Sequence, residues 1–368
     1  MDTSRIHKHV TIVTLTAIVA ISALAAIVWK TSEITPDQFS SGIQTAESSF
    51  NTGDINLSIT ELENLLTKNL DVAARVDVAV ALASAYAQKG SLEFKEIEYG
   101  TKAVTLLQEI LALDSQNSNI YRVMAYAYEI MQNYPAAVTN YEKSLELNMN
   151  NAMAHSGLGH AYDLMGDMQR AEFHLKEAVR LDPTLDHALY NIAKISFSIQ
   201  KFTDAKKFAE QTIAVSKNKR FISEATSLLG LLEMRDMKYA EAVVLFEKAL
   251  NIDATLVHNY VFLADAKLFE FTSGGDIAGI SDFETRQNAL FAETSTLIEQ
   301  AIVINPYYTS TYLVKAKILG LSGQKDLVIQ TLQKGLEVVE NDITLGALEK
   351  VSMKQRLTDT ITNYSQHI

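Results

Sequence analysis

The chain has 368 residues, of which 48% are hydrophobic and 21% are charged, so its composition is typical of a folded array rather than of a disordered chain. Only 4 prolines and 15 glycines interrupt it, which favours helices joined by short turns. The absence of cysteine excludes disulfides, thiolate zinc sites and cysteine catalysis. The net charge of −12, without a basic cluster, argues against nucleic-acid binding and favours encounter with a basic partner.

The N-terminus carries a membrane signal. Residues 1–9 form a short basic tail, and residues 10–29, VTIVTLTAIVAISALAAIVW, contain no charge. A helix of this length spans roughly 30 Å, which is the thickness of the hydrocarbon core of a bilayer. Trp29 and Lys30 follow the pattern of an interfacial aromatic residue and a snorkelling cation. We therefore predict one N-terminal transmembrane anchor, with the remainder of the chain on the extracytoplasmic side, in the cell envelope.

A cleavable signal peptide is the alternative for the same segment. Ala23-Leu24-Ala25 fits the small-x-small cleavage rule, whereas the apolar run continues through Val28 and favours an uncleaved anchor. Both alternatives export the remainder of the chain. Residues 30–38 are predicted to be a short polar linker.

Internal repeats organise the chain from residue 39 onward. Small residues recur at a spacing of 34, first as Ala125, Gly159 and Ala193 and again as Ala137, Ala171 and Ala205. Large residues keep the same spacing, as in Met124, Leu158 and Ile192. Small residues at two fixed places let two antiparallel helices approach closely, while large residues fill the gaps around them.

This pattern resembles the tetratricopeptide repeat family. The clearest copy, residues 152–185, has Leu158-Gly159, Tyr162, Gly166, Ala171, Ala178 and Pro183. The resemblance implies an all-α fold, a right-handed superhelical solenoid of about eight helix-turn-helix repeats, without catalytic activity. The register predicts an array over residues 39–342, with repeats at 39–72, 76–117, 118–151, 152–185, 186–219, 223–256, 257–308 and 309–342. Residues 343–368 are predicted to form a C-terminal capping helix.

Three departures interrupt this register. The second repeat has about eight extra residues near the sequence SLEFKEIEY, and a three-residue spacer precedes Ser223. The seventh repeat contains an inserted loop at 272–288, for which a surface loop and a binding lid both remain open. Within it, Ser281-Asp282-Phe283-Glu284 predicts that a helix restarts there.

The resemblance also implies a peptide-binding groove, because the inner helices of this family line a concave groove that holds extended or helical peptides. The matching places in the central three repeats are Arg122, Tyr126, Glu129, Ser156, His160, Asp163, His187, Tyr190, Asn191 and Lys194. Tyrosine and arginine are common interface anchors. A merely solvated inner face is the alternative. The Lys and Asn clamp of chaperone-binding members is not matched, since Gly157 stands where the second Asn belongs.

The stretch HSGLGHAYDLMGD, residues 155–167, concentrates histidine, aspartate and glycine without predicting a chemical site. A phosphate loop requires a preceding strand, whereas Gly159 falls at a helix-packing place. His155 and His160 diverge by about 140° around a helix, so we predict neither a metal site nor a cofactor. No Ser-His-Asp set lies in a diagnostic context, so no catalytic residue is predicted.

The sequence therefore predicts a non-catalytic, membrane-anchored scaffold or adaptor that binds a protein or peptide partner in its concave groove. Its expected role is the assembly or maturation of an envelope or membrane complex. The alternative is a structural, self-associating subunit, a homo-oligomer that binds through its convex face or the loop at 272–288.

Overall fold

The computed structural model describes residues 34–52, 54–93, 95–273, 282–342 and 344–366. The predicted basic tail at 1–9 and the predicted membrane anchor at 10–29 lie outside the described residues. Among the helices that the structure describes, none combines the length and the apolar character that a bilayer crossing requires. The first described helix begins at Pro36, within the predicted linker.

Every regular element in the described part of the chain is helical. The chain divides into an N-terminal unit, residues 1–150, and a C-terminal unit, residues 151–368. The N-terminal unit contains α1 (Pro36–Thr52), α2 (Ile55–Leu66), α3 (Val72–Glu93), α4 (Glu96–Leu111), α5 (Ser118–Ile130) and α6 (Tyr134–Leu147). The C-terminal unit contains α7 (Ala152–Leu164), α8 (Met168–Leu181), α9 (Asp186–Ser198), α10 (Phe202–Val215), α11 (Lys219–Arg235), α12 (Tyr239–Ile252), α13 (Val257–Ser273), α14 (Phe283–Ile304), α15 (Thr309–Leu321), α16 (Lys325–Val338), a short 3-10 helix (Val339–Asn341) and α17 (Ala347–Ser365).

Consecutive helices pack in pairs within each unit. In the C-terminal unit the pairs are α7–α8, α9–α10, α11–α12, α13–α14 and α15–α16, and α17 packs against α16. The first helices of successive pairs also contact one another, from α7 to α15. This arrangement is an all-α solenoid, so the predicted fold class is confirmed at that level.

The helix pairs close at glycines. A Cβ added at Gly159 in α7 would lie 2.7 Å from Cγ of Leu175 and 3.1 Å from the carbonyl oxygen of Ala171, both in α8. A Cβ added at Gly230 in α11 would lie 2.6 Å from the ring of Phe246 in α12. Leu175 and Phe246 are fully buried, so neither has free space into which to retreat.

The departures from the 34-residue spacing are mostly absorbed into longer helices. The extra residues of the second repeat extend α3, which has 22 residues and ends at Glu93, and α4 begins at Glu96. The three-residue spacer before Ser223 is helical, because α11 already begins at Lys219. This stretch contains no glycine or proline, so nothing in it prevents helix formation.

The insertion in the seventh repeat is also largely helical where it is described. α13 continues to Ser273 and α14 begins at Phe283, while residues 274–281 lie outside the described residues. The predicted helix restart is found at the expected place. Asp282 is the N-cap residue, but its side chain makes no capping hydrogen bond. Ser281 lies outside the described residues.

We predict that Gly159→Leu lowers the free energy of unfolding by about 1–3 kcal/mol, because the new side chain overpacks the contact with Leu175. Equilibrium urea unfolding measures this loss. Ala214→Leu is the matched control, since Ala214 is an exposed residue of α10 in the same unit, and its effect is expected to stay within about 0.5 kcal/mol. Equal effects of the two substitutions would contradict close packing at Gly159.

Candidate functional site

The three predicted groove residues of the N-terminal unit lie together around one buried tyrosine. Arg122, Tyr126 and Glu129 are half-buried on α5, and Tyr141 is buried on α6. The hydroxyl of Tyr141 donates to the Glu129 carboxylate at 3.2 Å. Burial, followed by the charge of Glu129, raises the pKa of Tyr141, and burial lowers the pKa of Arg122. The Glu129 carboxylate is therefore already hydrogen-bonded to Tyr141 within the α5–α6 pair.

Ser156 is not a groove residue, so this prediction was wrong. Its side chain is 1% exposed, and its hydroxyl has no hydrogen-bond partner among the described residues. Serine is too short to extend past the larger side chains that pack around α7, so the fifth place of this repeat is closed to solvent.

Asp163 and Lys194 are brought together by the contact between α7 and α9. The Lys194 Nζ lies 2.7 Å from the Asp163 Oδ2. The Asp163 side chain is only 8% exposed, whereas that of Lys194 is 40% exposed. The carboxylate is therefore covered and neutralised by a cation whose charged end remains accessible to solvent.

His187 and Tyr190 on α9 face a residue that the sequence analysis did not select. The rings of Tyr190 and Phe221 are 6.1 Å apart, and those of His187 and Phe221 are 6.4 Å apart. All three side chains are half-buried. Burial is the main cause that raises the pKa of Tyr190, and the charge of Glu224 adds to it. The first turn of α11 thus completes an aromatic cluster with α9.

A second ion pair lies on α11. The Arg220 Nε donates to the Glu224 Oε1 at 3.0 Å, with side-chain exposures of 66% for Arg220 and 9% for Glu224. Burial raises the pKa of Glu224, and the charges of Arg220 and Lys194 oppose that shift. On α13, burial and then the charge of Arg220 lower the pKa of His258 to about 4, so this imidazole is neutral at neutral pH.

These contacts define a continuous surface, which we call the first-helix face: the side of the C-terminal unit formed by α7, α9, α11, α13 and the turn before α15. His160 and Asn191, the remaining predicted residues, are half-buried on α7 and α9. The residues that the sequence analysis missed are Arg220, Phe221, Glu224, His258 and Tyr308. Glu224 and His258 occupy the second place of their repeats, which is a groove place in the predicted register. The same register therefore predicts both residues once it is applied beyond the central three repeats.

The first-helix face is concave. Tyr308, just before α15, is close enough to Tyr190 in α9 to contribute to its raised pKa. A Cβ added at Gly346, just before α17, would lie 3.7 Å from the carbonyl oxygen of Leu164 in α7. Residues separated by several helix pairs can approach in this way only if the stack curves inward on that side.

No group of three or more histidines or carboxylates that could hold a metal ion occurs among the described residues. The polar groups of the first-helix face are engaged mainly with one another, in ion pairs and through aromatic contacts. Such an arrangement offers hydrogen bonds, charge and aromatic surface to a ligand.

The Asp163–Lys194 pair should respond asymmetrically to substitution. We expect Lys194→Met to lower the free energy of unfolding by about 2 kcal/mol, because it leaves a covered carboxylate unpaired; the partial exposure of Lys194 limits the loss. Asp163→Asn should cost about 1 kcal/mol, since no buried charge remains. Urea unfolding of both single variants and the double variant tests this. Strictly additive losses would show that the two side chains do not interact.

Comparisons with known sequences and structures identify similar repeats and a similar fold. Residues 125–166 match a family model described as TPR repeat, and residues 154–185 match one described as tetratricopeptide repeat. No curated protein matches the sequence. A solved chain of the APC/C hetero-tetramer Cut9-Hcn1 is similar at 13% identity and a TM-score of 0.61, over 85% of this chain and 54% of that chain. The present chain thus spans about half the length of that relative.

A monomeric mutant of IFIT1, solved with Gppp-AAAA, is similar at 15% identity and a TM-score of 0.55, over 87% of this chain and 77% of that chain. At such low identity these likenesses concern the fold alone. Proteins of the tetratricopeptide repeat family are generally non-catalytic scaffolds that bind protein partners. Residues 125–185 of this chain are therefore similar to tetratricopeptide repeats, and the chain shares an all-α fold with these solved proteins.

Proposed function

We propose that this chain is a non-catalytic, membrane-anchored scaffold that binds a peptide segment of a protein partner on its first-helix face. The observation that carries the proposal is the concave face itself, where an aromatic cluster lies beside two ion pairs whose cations are accessible. The repeats at 39–342 would form a right-handed superhelix of about eight units, with α17 as its cap. The expected role is the assembly or maturation of an envelope or membrane complex.

The aromatic cluster supplies the apolar part of the face. Tyr190, Phe221 and His187 are half-buried, so their rings are held by their neighbours while part of each surface stays open. Side chains of this kind anchor interfaces because they lose little conformational entropy on binding and cover a large apolar area.

The two ion pairs supply direction. In both pairs the carboxylate is covered and the cation is accessible, with exposures of 8% and 40% for Asp163 and Lys194 and of 9% and 66% for Glu224 and Arg220. Lys194 and Arg220 therefore present N–H donors to an incoming segment without having to break free of the face. Carbonyl and carboxylate oxygens of a peptide are the matching acceptors.

The membrane part of the proposal depends on the sequence of residues 10–29. An anchor there would confine the scaffold to two dimensions and raise its local concentration near membrane partners. The positive side of this segment is N-terminal, with Arg5 and Lys8 before it, and this charge bias supports our proposal that the repeats lie outside the cytoplasm.

Peptide selection tests the binding face directly. A phage-displayed library of random peptides is panned against the full-length chain, and the affinities of the enriched peptides are measured. Tyr190→Ala is expected to weaken them at least tenfold, because it removes the centre of the aromatic cluster.

Phe173→Ala is the matched control, because Phe173 is a 60% exposed aromatic residue of the second helix α8, outside the first-helix face, and it should leave the affinities unchanged. Circular dichroism and melting first establish that both variants are folded. Enriched peptides that bind wild-type and Tyr190→Ala chains equally would refute the proposed face.

Topology is tested separately. A reporter that is active only in the cytoplasm, fused after Ile368, should remain inactive, because the proposed anchor exports the repeats. The matched control carries the same reporter after deletion of residues 10–29, and it should become active. Activity of the full-length fusion would contradict the extracytoplasmic placement.

Self-association is the second candidate function, and it has an observation of its own. The second helices α12 and α14 expose Val244 at 64% and Val303 at 83%, two apolar side chains that a second copy of the chain could cover. Sedimentation of the chain over a range of concentrations distinguishes the candidates. A concentration-dependent dimer without peptide affinity would favour the structural role over the scaffold.

A further inference from the structure

Two histidines from different helices are joined directly. The Nδ1 of His155 in α7 lies 3.0 Å from the Nδ1 of His174 in α8, and their ring centroids are 5.3 Å apart. His174 also stacks on Tyr162, with ring centroids 5.8 Å apart and an interplanar angle of 14°. Both imidazoles are half-buried. The contact therefore spans the two helices of one pair at a position with little solvent.

The hydrogen bond sets a limit on protonation. One Nδ1 must carry a hydrogen and donate it, and the other must keep its lone pair and accept. A first added proton can go to Nε2 of the donor ring, which leaves the bond intact and strengthens it. A second proton must go to the accepting Nδ1, so that two N–H groups and two positive charges oppose each other. The pair holds with no or one added proton and breaks with two.

The surroundings offer little compensation for a second charge. His155 and Tyr162 face His174 from α7, and Arg170 and Glu177 act on it from α8 itself. Lys194 of α9 is directed at Asp163, and Lys201, the N-cap residue of α10, pairs with Glu172 of α8 at 2.6 Å. In the described part of the chain, the carboxylate that favours protonation of His174 is that of Glu177, and it is paired with Arg180 at 2.9 Å.

We propose that His155 and His174 form an acid-sensitive latch that holds α7 against α8 and opens when the pair takes up its second proton. α7 also carries Asp163, which holds Lys194 on the first-helix face. Opening of the latch would therefore release that part of the face. This last consequence rests on the proposed function, whereas the latch itself does not.

The direction of the pH dependence follows from burial. Burial first, and then the charge of His155, lower the pKa of His174 from its ordinary 6.5 to about 4. The unfolded chain therefore binds more protons than the folded chain between these values. The stabilisation by the latch is complete above pH 6.5 and is lost as the pH falls towards 4. A shift of this size corresponds to a change of roughly a hundredfold in the opening equilibrium.

Amide hydrogen exchange of the full-length chain, read by mass spectrometry between pH 7 and pH 4.5, tests the latch. After correction for the intrinsic exchange rates, the protection of α7 and α8 is expected to fall between tenfold and a hundredfold more than that of α15 and α16. The latter pair contains no histidine and serves as an internal reference. His174→Phe keeps a ring against Tyr162 but cannot titrate, so it should abolish the excess loss.

His258→Phe is the matched control, because His258 is a second imidazole whose pKa burial lowers to about 4, on α13. This variant should retain the loss of protection at α7 and α8. If His174→Phe is not helical at neutral pH, His155→Phe replaces it, with the same expectation. An unchanged pH dependence in the folded variant would overturn the latch. No peptide is present in this measurement, so its failure is distinct from a failure of the proposed function.

Discussion

The close approach of two helices within each pair is the constraint on which the rest of the C-terminal unit depends. Gly159 and Gly230 have no Cβ, and Leu175 and Phe246 occupy the space that a Cβ would need. These contacts fix the rotation of each first helix against its partner. They therefore also determine which side chains point away from the contact between the two helices. Asp163 and Tyr190 reach the first-helix face only because the opposite sides of α7 and α9 are committed to packing.

This constraint was visible in the sequence, which explains why the fold class was predictable. Small residues at a spacing of 34 mark the places where helices touch. This spacing is the same in successive repeats although the surrounding residues differ between them. The lengths of individual helices were less predictable. α3 extends to Glu93 and α11 begins at Lys219, although both stretches interrupt the repeat spacing, because a change in spacing does not by itself end a helix.

The site was only partly predictable, for a different physical reason. A repeat place specifies a side of a helix but not the depth at which a side chain lies. Ser156 and Asp163 both have groove places, yet Ser156 is covered and leaves its hydroxyl unpaired, whereas Asp163 reaches a cation. Contacts between helices, such as that of Lys194 with Asp163 across two repeats and that of His155 with His174 within one, depend on curvature and on rotamers. The repeat spacing encodes neither curvature nor rotamers. Of the two ion pairs described on the first-helix face, that of Arg220 and Glu224 could be recognised from the sequence, because its residues are four apart in one helix.

The charge of the first-helix face illustrates the difference between composition and structure. The net charge of −12 governs the long-range field of the chain and favours encounter with a basic partner. At short range the accessible charge of the face is positive, because Asp163 and Glu224 are covered while Lys194 and Arg220 are accessible. A partner segment with both kinds of charge fits both effects. Its basic residues, which remain outside the face, favour its approach, and its acceptor groups receive hydrogen bonds from the N–H donors of the face. Asp163 and Glu224, two of the 44 acidic residues of the chain, thus hold in place the cations that a bound segment would contact.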